Sequence, residues 1–129
     1  MTDHGTFYWN ELMTRDAARA MDFYAKTLGW SYDTMPMGDM GDYHIAKIGD
    51  KMVAGIMEMP PTDEFEAVPD HWLSYVAVDD VDQRIAGLAE QGGVVHREPF
   101  DVQGVGRIAI IGIPGGAVQG WIVPSDEPM

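Results

Sequence analysis

The sequence holds 129 residues, enough for one domain with a real hydrophobic core, and its apolar share of 46% argues for a folded chain. Eight basic residues against 21 acidic ones give a net charge of −13, a field that repels nucleic acid and anionic membrane surfaces alike. No cysteine is present, which excludes a disulfide framework, a thiolate nucleophile and a Cys-containing zinc site; no apolar run or leader-like start is present either, so the cytoplasm is the default compartment.

In chain order, FYWNELM (residues 7–13) alternates as a strand. Asp16 then has the place of a helix N-cap, and Ala17, Ala20, Met21, Tyr24 and Leu28 recur at helical spacing until Gly29 stops the run. Three strand signals follow, WSYDTM, DYHIAKIG and MVAGIMEM, parted by turns rich in Gly and Asp. PPTDEFEAVPD (residues 60–70) reads as a Pro- and acid-rich linker. Beyond it WLSYVAV predicts a strand, and Asp80 with Gln83 three residues on predicts a capped helix ending at Gly92-Gly93. VVHREPFDV, GRIAIIGI and AVQGWIV complete the set, the last two split by Pro114-Gly115-Gly116. Within TMPMGDMGDY (residues 34–43), three methionines fit either a mobile apolar flap or a plain hairpin loop whose methionines cover a dimer seam.

The two halves repeat each other. Asp16 matches Asp80, Met21 matches Ile85, Tyr24 matches Leu88 and Gly29 matches Gly93, each at an offset of 64. Each half reads strand, helix, three strands, so the chain is predicted to be α+β: two βαβββ modules, at about residues 5–59 and 71–124 of one domain, with helices outside.

The runs FYWNELMTRDAARAMDFYAKTLGW, WLSYVAVDDVDQRIAGLAEQGG and IPGGAVQGWIVP, in that order, resemble the glyoxalase/bleomycin-resistance/dioxygenase superfamily, also called the vicinal oxygen chelate proteins, over about residues 5–124. The resemblance implies curved mixed sheets around a cup and leaves a homodimer open as the assembly. In metal-dependent members it also implies four ligands on the inner face, one from the first and one from the last strand of each module. Carried onto this chain, those positions are Trp9, Glu58, Leu73 and Gly120. Three of them cannot coordinate a cation, so no metal and no other cofactor is expected.

Strand parity puts Phe7, Glu11 and Met13 inward with Trp9, His71, Tyr75 and Ala77 inward with Leu73, and Val118 and Ile122 inward with Gly120. Such a lining, apolar with Glu11, Glu58 and Tyr75 as polar points, suits a small-molecule pocket. The candidate ligand-binding residues are therefore Trp9, Glu11, Met13, Glu58, His71, Leu73, Tyr75 and Gly120, and the expected partner is a small, partly apolar molecule. Two other readings stay open. One is an enzyme, either a lyase, isomerase or dioxygenase with a metal site rebuilt from His71, Glu11 and Glu58, or an acid–base catalyst using Glu11 and Glu58. The other is a structural or interaction module with a filled cup. Arg107 is expected to neutralise one of the two carboxylates. His4, His44 and His96 form no metal-binding pattern.

Overall fold

In a computed structural model that describes residues 3–38, 41–60, 67–102 and 105–125, the strand–helix–three-strand pattern occurs twice. The first copy is β1 (Phe7–Thr14), α1 (Ala17–Leu28), β2 (Ser31–Pro36), β3 (Asp42–Ile48) and β4 (Lys51–Glu58). The second is β5 (His71–Ala77), α2 (Val81–Ala86), β6 (Val94–Val102), β7 (Gly106–Gly112) and β8 (Val118–Pro124). Two compact units result: Trp9–Leu73, here module one, and the remainder of the described chain, module two. Residues 61–66 of the expected linker lie outside the described residues.

In module one the strands run in the order β2-β3-β4-β1, with β1 parallel to β4 and the other pairs antiparallel. One sheet face carries Leu12 and Ile56, which pack with Ala17, Ala20, Met21 and Tyr24 of α1 and with Tyr32. The Asp16 carboxylate caps α1 by accepting from the Arg19 amide at 3.0 Å. At the other end Gly29 adopts φ 77°, the left-handed conformation that only glycine takes cheaply, and its N–H donates to the Ala25 carbonyl. The helix start is tied down further by Thr14, whose hydroxyl donates to Asp70 at 2.6 Å, and by the Arg15 amide, which donates to the same carboxylate at 3.2 Å. The Thr14 hydroxyl and the Arg15 amide and charge hold the exposed Asp70 carboxyl below its usual range. The Arg15 guanidinium donates to the Val68 carbonyl.

Module two repeats the plan in the order β5-β8-β7-β6, with β5 parallel to β8. Val78, Val81 and Ala109 form the core between sheet and helix, joined by Val76, Ile85, Trp121 and Val123. Asp80 caps α2 through the Gln83 amide at 3.1 Å. The helix is shorter than its sequence pattern predicts. Gly87, a weak helix former, ends it, and the chain continues as a 3-10 turn over Ala89–Gln91. The left-handed stop falls on Gly92 at φ 89°, while Gly93 makes room for Leu88, whose side chain would lie 2.7 Å from a Cβ there.

The methionine-rich segment is mostly a hairpin: β2 and β3 pair through Met35↔Tyr43 and Pro36↔Asp42, with Asp39 and Met40 outside the described residues. Among the described residues, no helix is long and apolar enough to cross a membrane.

Candidate functional site

The β1–β4 register sorts the candidates of module one onto two faces. Leu12↔Ile56 and Thr14↔Glu58 share the face that meets α1, whereas Glu11↔Gly55 and Met13↔Met57 share the helix-free face. On the latter, β3 adds Tyr43, opposite Met57, and Ile45, opposite Gly55. Trp9, Met13, Tyr43 and Met57 are half-buried there, and Glu11 is buried.

These side chains build a polar chain across an otherwise apolar surface. The Trp9 indole N–H donates to the Tyr43 hydroxyl at 2.7 Å. Tyr43 in turn hydrogen-bonds Glu11, the phenol donating its one proton to the carboxylate. Burial, and then the negative charge of Glu11, push the Tyr43 phenol far above its usual range, so it stays a donor. Gly55 makes the arrangement possible, because a Cβ at that position would stand 1.8 Å from the Tyr43 hydroxyl and 3.1 Å from the Trp9 nitrogen. Neither Tyr43 nor Gly55 is among the residues singled out from sequence. A glycine inside the strand run MVAGIMEM is the available signal, since such a glycine marks close approach of another group.

Glu58 requires correction. It stands on the helix side of β4, exposed, and its carboxylate accepts from the Ala17 amide at 3.0 Å as a second cap for α1. The sequence alignment of the two last strands sets Glu58 against Gly120; the registers instead set Gly55 against Gly120, because Glu11 pairs with Gly55 as Tyr75 pairs with Gly120. Side chains alternate along a strand, so a three-residue offset carries Glu58 to the opposite face. The expected pair of carboxylates is therefore not assembled. Arg107, expected to neutralise one of the carboxylates, is instead engaged within module two: it lies opposite Val123 and forms a two-pronged pair with Asp82 of α2, at 2.7 and 2.9 Å, with Asp101 at 3.2 Å. The Arg107 guanidinium holds the Asp82 carboxyl below its usual range.

Phe7, expected on the inner face, is 72% exposed at the start of β1. Leu73 is buried, while His71 is half-buried, with its Nδ1 2.8 Å from the Pro69 carbonyl. In module two the helix-free face holds Tyr75, Ala77, Gly120, Ile122, Ile108 and Ile110. Tyr75 lies across Gly120, where a Cβ would come within 2.5 Å of its ring, and Ile108 and Ile122 are buried beside it. Val118, at the strand start, is exposed.

A family model described as Glyoxalase/Bleomycin resistance protein/Dioxygenase superfamily matches residues 6–118. The chain belongs to this superfamily. "Putative glyoxylase CFP32" of Mycobacterium tuberculosis is 37% identical over 127 residues, 98% of this chain and 47% of that protein. Anthracycline biosynthesis protein DnrV of Streptomyces peucetius is 30% identical over 119 residues, 84% of this chain and 43% of that protein. The chain thus spans about half the length of the curated relatives it matches. Methylmalonyl-CoA epimerase of Streptomyces coelicolor shares the fold, with a TM-score of 0.68 at 18% identity over 95% of this chain and 99% of that one.

The positions at which the resemblance implies metal ligands carry no donor set among the described residues. Trp9, Leu73 and Gly120 cannot coordinate, Glu58 faces α1, and Gly55 adds no donor. Among the described residues no three His, Asp or Glu side chains are grouped so as to hold an ion. Among the described residues, those at the expected ligand positions do not fit a metal, and His71, Glu11 and Glu58 are not grouped to hold one.

Proposed function

We propose that the helix-free face of module one binds a small, partly apolar molecule without a metal. Trp9 supplies a stacking surface, Met13 and Met57 supply adaptable apolar contacts, and Glu11 with Tyr43 supplies the polar points. The observation that carries this reading is the Trp9–Tyr43–Glu11 chain, a carboxylate buried on a half-exposed aromatic face. A face whose only task is packing has little use for a buried acid, since desolvating a charge costs free energy that apolar residues avoid. The relatives' names, one a glyoxylase and one an anthracycline biosynthesis protein, accord with a small organic ligand. An acid–base enzyme is the less favoured reading, because Glu58 stands on the other face and leaves Glu11 without the second carboxylate such a mechanism was expected to use.

Ligand-observed NMR against a library of small aromatic molecules, on protein dialysed against a chelator, tests the proposal. Binding is expected with the chelator present, and is expected to weaken in Trp9→Phe while the fold survives. Binding that needs an added divalent ion, or that ignores the Trp9 substitution, would count against it.

A further inference from the structure

We propose that the helix-free face of module two carries a binding site for small anions, in which Arg97 receives the carboxylate or phosphate of a molecule with an apolar body. The site is independent of the binding reading of module one.

Two irregularities in β6 build it. Val94 pairs with Gly112 and Val95 with Ile111, but Arg97 then meets Ile110, so His96 is an extra residue in the register. Strict alternation from Val94 would set His96 on the helix-free face and Arg97 on the face of α2. The bulge re-aims Arg97. Opposite Ile110 it shares the helix-free face, while His96 keeps its place there, its Nε2 seated where a Cβ on Gly112 would come within 2.8 Å. The second irregularity brings Phe100 opposite Ile108 on the same face, and the Arg97 guanidinium carbon lies 3.7 Å above the Phe100 ring centroid. An exposed charge thus stands over half-buried Phe100 and Ile110 and buried Ile108. Of module two's other arginines, Arg84 is bound to Asp79 and Arg107 to Asp82 and Asp101. Arg97 takes part in no ion pair or hydrogen bond among the described residues; its contact is the ring. A guanidinium stacked on a ring uses the face of its plane, and its five N–H donors stay in that plane, forming the fork that matches a carboxylate or phosphate. A polyanion needs many cations, and Arg97 stands in a chain of net charge −13, so the fitting occupant is a small molecule. The same charge opposes unspecific uptake of anions, so a saturable response to one reports local recognition.

The 15N-labelled full chain is titrated with cyclohexanecarboxylate, with cyclohexyl phosphate and, as their neutral counterpart, with cyclohexanecarboxamide; saturated rings keep the aromatic face of module one out of the comparison. The Arg97 Nε–H signal, assigned by its loss in Arg97→Gln, and the backbone amides of Ile110 and Gly112 are followed. At least one oxyanion is expected to shift these signals saturably and to bind about tenfold or more tighter than the carboxamide. The tighter of the two names the source of the anion, and equal affinity assigns the site to the oxyanion chemistry they share. Arg97→Gln, followed through the two amides, is expected to remove the preference, Arg97→Lys to keep part of it, and Phe100→Leu to weaken binding by loosening the guanidinium. Arg19→Gln, at an exposed arginine of α1, is expected to change nothing. An oxyanion that binds no tighter than the carboxamide, a preference that survives Arg97→Gln, or an equal loss in Arg19→Gln overturns the proposal and leaves the reading of module one standing.

Discussion

The two modules share one frame and differ in what they set upon it. In each, the first strand runs parallel to the last, a helix covers one face, and a tyrosine lies over a glycine of the last strand on the other face. In module two that tyrosine, Tyr75, comes from the directly paired position and sits beside Ile108 and Ile122, both buried. In module one the tyrosine comes from the neighbouring antiparallel strand, and the paired position is free to hold Glu11. The difference shows how a repeated unit can keep its packing rules while one copy takes up a buried acid. The glycine preserves the space, and the strand that supplies the ring decides whether an acid can stand next to it.

The sharpest way to break this comparison is to fill the space. Gly55→Ala is expected to cost about 3 kcal/mol, the upper end of overpacking, because the buried phenol has to leave its two hydrogen-bond partners. Gly120→Ala is expected to cost a similar amount through the Tyr75 ring. Chemical denaturation with double-mutant cycles separates the two: the Gly55 cost should couple to Tyr43→Ala and not to Tyr75→Ala, and the reverse for Gly120. A Gly55→Ala protein as stable as the parent would remove Tyr43 from its assigned position.

Next in size is the polar chain. Tyr43→Phe keeps the ring but deprives the Trp9 N–H and the Glu11 carboxylate of a shared partner, an expected loss of about 1–3 kcal/mol in the same assay. A neutral result would mean that water or another group already satisfies both, and that the chain contributes little to the face.

The helix caps test what the modules have in common. Asp16→Ala and Asp80→Ala are each expected to cost about 0.5–2 kcal/mol. Glu58 accepts from the first amide of α1, so Glu58→Gln should behave as a cap variant, lowering stability while leaving affinity for small aromatic molecules unchanged. An effect on affinity would return Glu58 to the face proposed to bind the ligand.

The smallest effect lies at Asp70, exposed and present in module one only. Its folded-state pKa is depressed by the Thr14 hydroxyl and the Arg15 amide and charge. Its contribution is therefore complete above the ordinary aspartate range near pH 4 and is lost as the pH falls through the lower folded value. Asp70→Asn should flatten the acid side of the stability profile, measured by denaturant midpoints between about pH 2 and 6. An unchanged slope would mean the latch onto Val68–Asp70 is energetically silent.

Much of this is legible in the sequence. Asp16, Gly29 and Asp80 announced the helices because caps are local chemistry, and strand alternation placed Glu11 with Trp9 and Tyr75 with Leu73. Registers between strands are not local. Nothing in MVAGIMEM states which residue meets Glu11, so strand counting sets Glu58 on the wrong face and gives Gly55 no partner. Tyr43 was hidden for the same reason: it is remote in sequence from both of its partners, and only the β3–β4 pairing brings it across. The early end of α2 at Gly87 was a matter of weighing, where one glycine outweighed a continuing apolar stripe.

The most direct test of the central claim uses the protein's four tryptophans as reporters of position. Their surroundings are distinct: the Trp9 indole donates to Tyr43, Trp72 to Tyr24 and Trp121 to Gln119, while Trp30 stacks on Tyr24. The indole N–H signals of 15N-labelled protein, assigned by single Trp→Phe variants, are followed while an aromatic probe is added. The account expects the Trp9 signal to move with saturation, in chelator and without added metal, while Trp30, Trp72 and Trp121 stay in place. Saturable movement of those three with Trp9 silent would place the ligand elsewhere and contradict it.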